Sequence, residues 1–392
     1  MNTTHLPEHL AHRMEGIQPF HVMDLLAKAK ALEAQGRSII HMEVGEPDFL
    51  TTEPVKIAAQ EVVSKGDVHY TPALGLPALR DRIARYYAER YGVEVSPQRI
   101  IVTPGASGAL LLALGVLLNP GERVLMSDPG YPCNRNFVRF LNGEPVSIPV
   151  YAETNYQLNA SHILDHWAEN TAAVMVASPA NPTGTLIPTD MLKEIITTVE
   201  EQGGHLLVDE IYHGLEYEGR SDTALGFSDN VFVINSFSKF FGMTGWRLGW
   251  LVVPESYVPE VDKLAQNLFL AAPTVSQHAA IAAFSEENMT ILEERRQEFQ
   301  RRRDFLLPAL RDIGFTIPVN PSGAFYIYAG CERFTQDSYQ FVTQLLEDTG
   351  VAITPGLDFG DNAPERHVRF SYATSIENLH EAVKRLQKFL GA

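Results

Sequence analysis

The stretch VINSFSKFFGMTGWRLGW, Val233–Trp250, runs from a β-branched apolar segment into a single lysine, Lys239, set between small hydroxyl residues, with Arg247 and several glycines after it. A lysine forms an imine with an aldehyde only as the neutral amine. Its ordinary pKa of ~10.4 keeps it protonated at neutral pH, so a reactive lysine needs a special setting. Read alone, Lys239 is a surface ammonium. Its neighbours change that reading, because Ser236, Ser238 and Arg247 offer two hydroxyls and a guanidinium fork suited to a phosphate monoester.

Outward from this stretch, between about Arg99 and Pro254, short β-branched runs alternate with helical patterns: RIIVTPG, RVLMSDPG, EPVSIPV, AAVMVASP, HLLVDE, VFVINSFS and LGWLVVP. The alternation predicts an α/β fold with a mostly parallel sheet between helices. Chemistry-bearing residues fall just after these runs, where open α/β sheets bind ligands. After about Pro273 the pattern changes to long charged helices, then FYIYAG, VAITPG and HVRFSYA, and ends in an amphipathic helix over Ser375–Leu390. These pieces predict a smaller α+β domain. The expected division is an N-terminal segment 1–48 contributing to the small domain, a large domain 49–285 and a small domain 286–392. No Gly/Ser linker, repeat or low-complexity tract separates them.

Composition narrows the function classes. With 45% hydrophobic and 20% charged residues the chain reads as an ordinary globular protein, and its net charge of −17 argues against nucleic acid as a partner. The dense basic run ERRQEFQRRRD, Glu294–Asp304, reads as the solvated face of a helix whose apolar stripe is Ile291, Leu292, Phe299 and Leu306. Two cysteines, Cys133 and Cys331, exclude a disulfide framework, and the polar start MNTTHLPEHLAHRMEG lacks the apolar core of a secretory signal. The longest apolar run, Ala109–Leu118, is well short of the ~20 residues that span a bilayer. A cytoplasmic protein without membrane partners is expected.

Two further features bear on the lysine. In TPGASGALLLA a strand and a glycine turn lead into an apolar helix whose first amides, at Ala106 and Ser107, are free to bind phosphate. In HLLVDEIYHGL a strand ends on Asp209, with Tyr212 three residues later. An acidic strand end is by itself most often a cap. A carboxylate, a phosphate cradle and a lysine in one chain meet the needs of pyridoxal 5′-phosphate, which takes an imine, a phosphate anchor and an anion beside its pyridine nitrogen.

At this point the chain resembles the fold-type I, class I/II aminotransferases of the aspartate aminotransferase superfamily, from VGEPDF at Val44 to RFSYA at Arg369. SFSKFFGMTGWRLGW matches the family's lysine motif and ASPANPTG its asparagine motif. The resemblance implies a large domain with a mostly parallel seven-stranded sheet plus a small α+β domain, and a homodimer with shared active sites. It implies Lys239 as the internal aldimine and proton shuttle, Asp209 on the protonated pyridine nitrogen, and Tyr212 and Asn181 on the 3′-oxygen. Tyr131, in DPGYP, stacks on the ring. Ala106, Ser107, Ser236, Ser238 and Arg247 hold the phosphate, with Tyr70, in VHYTPALGLPALR, reaching it from the neighbouring subunit. Gly45, Asn181 and Arg369 bind the substrate, Arg369 through the carboxylate.

Other conspicuous residues have plainer readings. Pro182 and Gly184 read as turn-formers, Trp246 and Trp250 as core or wall, and His69 and His205 as structural, with no metal-like pairing. Arg135, in YPCNRN, reads as a surface arginine, with a substrate's distal carboxylate as its alternative partner. The implied activity is transamination of an L-amino acid with a 2-oxo acid, 2-oxoglutarate as acceptor. A pyridoxal-phosphate β-lyase is the alternative, since one electron sink serves several bond cleavages. A ligand-sensing regulator is the third reading, disfavoured by the short segment before Val44.

Overall fold

The computed structural model describes residues 10–391. Helix α1 (His21–Ala34) leads to the short strand β1 (Ile40–His41), then α2 (Glu53–Lys65) and α3 (Pro77–Tyr91). Seven strands follow: β2 (Ile100–Thr103), β3 (Arg123–Asp128), β4 (Glu144–Pro149), β5 (Thr171–Ala177), β6 (His205–Asp209), β7 (Phe232–Ser236) and β8 (Gly249–Val252). Between them lie α4 (Gly105–Leu117), α5 (Pro132–Phe140), α6 (Ala160–His166) and α7 (Thr189–Glu201). The chain continues through α8 (Val258–Leu268), α9 (Thr274–Ala282), α10 (Glu286–Ile313), β9 (Tyr326–Gly330) and α11 (Ser338–Thr349). It closes with β10 (Val351–Ala352), β11 (Thr354–Pro355), β12 (His367–Ser371) and α12 (Ile376–Leu390).

All seven runs read from the sequence are strands of one sheet, in the order β2-β8-β7-β6-β5-β3-β4. Every pairing among β3 to β7 is parallel, and β8 lies antiparallel between β2 and β7. The Lys239 segment joins β7 to β8 without the crossover helix that a parallel neighbour needs, so the chain returns antiparallel beside β7. β6 and β7 are buried along almost their whole length, as strands covered on both faces must be. Helix α4 packs on β2, β7 and β8 beneath α8, which explains why GASGALLLALGVL carries no charged face. Leu112 and Leu114 there are fully buried, each contributing roughly 1.5–3 kcal/mol through lost water contact.

Two small sheets complete the molecule. β1 pairs parallel with β10, and β11, β12 and β9 form an antiparallel sheet. The run VAITPG is thus divided at Ile353 between two sheets. Helix α10 corrects one expectation. Leu292, Phe299 and Leu306 are buried as read, and Ile291 partly so, but Arg302 and Arg303 are buried too rather than solvated. Arg302 donates to Asp48 Oδ1 at 2.7 Å and to Glu298 Oε1 at 2.9 Å, and Arg303 to the Pro321 carbonyl at 2.9 Å. Their aliphatic stems give the helix a wider inward face than hydropathy alone shows.

Candidate active site

The C-terminal ends of the parallel strands open onto a cavity of about 230 Å³. Each strand delivers its residue through a short turn. Asp209 ends β6, Ser236 ends β7, and Lys239 and Ser238 follow on the turn to β8. Asn181 follows β5, Tyr131 sits at the N-cap of α5 after β3, and Ala106 and Ser107 form the first turn of α4 after β2. All of these line the cavity, together with Gly45, Tyr212, Arg247 and Arg369. Tyr70 does not: it is 83% exposed and lies outside this chain's own cavity.

Burial sets the charge states. Lys239 Nζ donates to the Gly45 carbonyl at 2.7 Å, and loss of solvent lowers its pKa to about 8. Asp209 is pushed the other way, to about 6, also by burial, with the Ile211 amide at 3.0 Å and the Lys239 charge opposing the shift. The amine is thus brought closer to its reactive neutral form while the carboxylate stays mostly ionised at pH 7.

At one end of the cavity Arg247 meets the start of α4. A Cβ on Gly105, whose φ is +70°, would lie 2.7 Å from Arg247 Nη2, so glycine alone lets the guanidinium approach the free amides. Ser236 Oγ accepts from the Ser238 amide at 3.0 Å, which fixes both hydroxyl residues beside them. Arg369, 2% exposed, donates to Asn181 Oδ1 at 2.8 Å, the Glu43 carbonyl at 2.6 Å and Thr354 Oγ1 at 3.2 Å. Its Nε is buried with no partner, a donor in need of an acceptor.

Tyr326 is the residue that sequence reading missed. Its hydroxyl bonds that of Tyr212 at 2.8 Å, and its ring lies 4.3 Å from the Arg369 guanidinium. A Cβ on Gly45 would overlap the Tyr326 hydroxyl, which accounts for glycine there. The only sequence signal was the aromatic run FYIYAG, which read as a strand. Arg135 is half-buried rather than a plain surface group: it donates to the Asp358 carbonyl at 3.2 Å and lines a second cavity of about 250 Å³, which shares Phe20 with the first. Trp250 is core, bonded to the Tyr87 hydroxyl, and His205 bonds that of Tyr257. Among the described residues no cluster of three or more His, Cys, Asp or Glu could hold a metal, and no helix is long and apolar enough to cross a membrane.

Comparison with known proteins agrees with this geometry. The family model for aminotransferase class I and II matches residues 37–386. The chain is 37% identical to a (5-formylfuran-3-yl)methyl phosphate transaminase of Methanocaldococcus jannaschii, over 97% of this chain and 99% of that protein. It is 40% identical to a valine–pyruvate aminotransferase of Mycobacterium tuberculosis, over 96% of this chain and 97% of that protein. Among solved structures, an aminotransferase from Mycobacterium tuberculosis superposes with a TM-score of 0.94 at 40% identity, covering 98% of this chain and 100% of that one. The Thermus thermophilus aspartate aminotransferase with maleate gives 0.92 at 32%, covering 97% and 100%. The chain therefore belongs to the class I and II aminotransferases, enzymes that work with pyridoxal 5′-phosphate.

Proposed function

We propose that the chain moves the amino group of an L-amino acid to a 2-oxo acid in two half-reactions at Lys239, with 2-oxoglutarate as an acceptor. The observation that carries this is the convergence of Lys239, Asp209 and Arg369 on one cavity, two of them with pKa values moved toward each other by burial. The residues fit the cofactor, with an anion, a partly buried amine and a cradle that a Cβ at Gly105 would fill, and the orphaned Arg369 Nε–H suits the carboxylate of a substrate beside it. Pyridoxal phosphate supplies an aldehyde that condenses with amines and a ring that withdraws electrons from the amino acid's α-carbon.

The chain's residues then divide the work. Arg247, Ser236, Ser238 and the Ala106 and Ser107 amides would hold the phosphate, and Asp209 would keep the pyridine nitrogen protonated. Tyr131, Tyr212 and Asn181 would hold the ring, Tyr131 on its face and the other two at its 3′-oxygen. Arg369, with Gly45 and Asn181, binds the substrate carboxylate, and Lys239 Nζ carries the α-proton, its lowered pKa suiting it to accept at neutral pH. Arg135 and Arg139, lining the second cavity across Phe20, support an acceptor with a distal carboxylate. The names of the relatives lend the elimination alternative no support.

The same reading takes the enzyme as a cytoplasmic homodimer, each site completed by the neighbour's Tyr70, a role that the exposure of Tyr70 supports. It assigns 1–48 and 286–392 to a small domain and 49–285 to the large one. The pairing of β1 with β10 supports joining the first and last of these segments. A half-reaction screen tests the function. Holoenzyme is mixed with single amino acids, the loss of its yellow band is followed, and 2-oxoglutarate or pyruvate is added to restore it. Pyruvate and ammonia formed together with no 2-oxo acid added would overturn transamination in favour of elimination.

A further inference from the structure

Three residues of the cavity wall, Phe20, Val22 and Met23, come from the start of α1 rather than from the strand ends. All are apolar. The cations of this cavity, Lys239, Arg247 and Arg369, each have another role in the proposed chemistry, and Arg135 and Arg139 lie beyond Phe20 in the second cavity, so within the first cavity this part of the wall offers an amino donor's side chain no charge to pair with.

Helix α1 has no side-chain cap of its own, because Phe20 at its N-cap position offers no acceptor to the free amides of the first turn. Those amides are taken from far along the chain. Asp358 Oδ1 accepts from the His21 amide and Oδ2 from the Val22 amide, each at 2.9 Å. The carboxylate is 4% exposed, and a buried charge is tolerated only when it is hydrogen-bonded. Burial raises its pKa, and the two amides oppose that shift.

The segment bearing Asp358 is itself fixed. The Gly130 amide donates to the Phe359 carbonyl at 2.8 Å, and Asp128 Oδ2 accepts from the Asp361 amide at 2.8 Å. The Phe359 ring lies 4.9 Å from the Arg369 guanidinium. The start of α1 is thus tied to the same strap that adjoins the Tyr131 turn and backs Arg369.

We propose that Asp358 is a positioning residue for substrate selection: its carboxylate seats the first turn of α1 so that Phe20, Val22 and Met23 wall in an apolar substrate side chain. This rests on the transamination reading and deepens it, naming L-amino acids with apolar side chains as the amino donors.

The test compares the holoenzyme with its Asp358→Ala and Asp358→Asn variants. Calorimetry with two unreactive carboxylates separates anchor from wall, since acetate reaches the anchor alone and 3-phenylpropanoate also needs the wall. Asp358→Ala is expected to weaken 3-phenylpropanoate about tenfold and acetate less than about twofold, the scale set by loss of a helix cap. Hydrogen exchange over residues 21–25 should accelerate, and Asp358→Asn, which keeps one acceptor, should fall between. Equal weakening of both probes, or unchanged binding of 3-phenylpropanoate, overturns the proposal. If Asp358→Ala does not fold, Phe20→Ala, which leaves the tether intact, must reproduce the selective loss, and its failure to do so overturns the proposal equally. A wrong transamination reading would show separately, as wild-type holoenzyme that no amino acid converts while the calorimetric pattern holds.

Discussion

Replacing Arg369 with lysine separates an anchor for the shared α-carboxylate from a reader of side chains. Three N–H groups of the guanidinium are committed, one Nη1–H to Asn181 and two Nη2–H to Glu43 and Thr354, and the buried Nε–H has no partner, which leaves it to donate to the proposed substrate carboxylate. An ammonium on a shorter stem cannot keep the committed bonds and make that one as well. A hydrogen bond to a charged group contributes ~1.5–3 kcal/mol, so kcat/KM should fall about 10- to 150-fold. The loss should be similar for the amino acid and the 2-oxo acid, because both present the same carboxylate. The ring contacts at 4.3 Å to Tyr326 and 4.9 Å to Phe359 also favour the flat guanidinium, so the variant should bind unreactive acetate more weakly as well. Stopped-flow half-reactions in both directions supply the measurement. A loss confined to one substrate would refute the anchor assignment and make Arg369 a reader of side chains.

Lys239→Ala should abolish turnover while the holo form still assembles, since the residues proposed to hold the phosphate remain. Near wild-type transamination by the purified variant would remove Lys239 from the mechanism. Asp209→Asn should keep the fold and lose most α-proton abstraction in single-turnover experiments, and an unchanged rate would leave Asp209 as a strand-end cap. Co-refolding Lys239→Ala with an impaired Tyr70 variant should restore about a quarter of wild-type activity, because about half of randomly paired dimers carry one intact site. Mixed dimers confirmed by mass but inactive would exclude the shared site. Burial raises the folded pKa of Glu210 from 4.5 to about 8, so the folded state holds the proton more tightly and stability should decline as pH rises through that window. Urea titrations across it should show Glu210→Gln removing the decline; an unaltered slope would place the titration elsewhere.

What the sequence made legible was whatever chemistry requires locally. Lys239, Asp209 and Arg247 lie on strand ends or turns whose residues are neighbours in the chain, so type and spacing carried the reading; the seven strand runs were legible for the same reason, each being a short local run that alternates with helical patterns. The antiparallel insertion of β8 was not, because it depends on how one turn closes rather than on any hydropathy pattern. Tyr326 and Asp358 were hidden for a second reason. Tyr326 acts through Tyr212, 114 residues away, and Asp358 through the amides of His21 and Val22, more than 330 away, and neither belongs to a motif of polar residues. The buried arginines of α10 follow the same rule, since the Asp48 that pairs with Arg302 stands 254 residues earlier. Chemistry was therefore written in short range, whereas the parts of the site that hold α1 and Arg369 in place are written in contacts that only the folded chain creates. The proposed selection among amino donors belongs to that second set, since it rests on Phe20 and on the bonds from Asp358 to the His21 and Val22 amides rather than on Lys239.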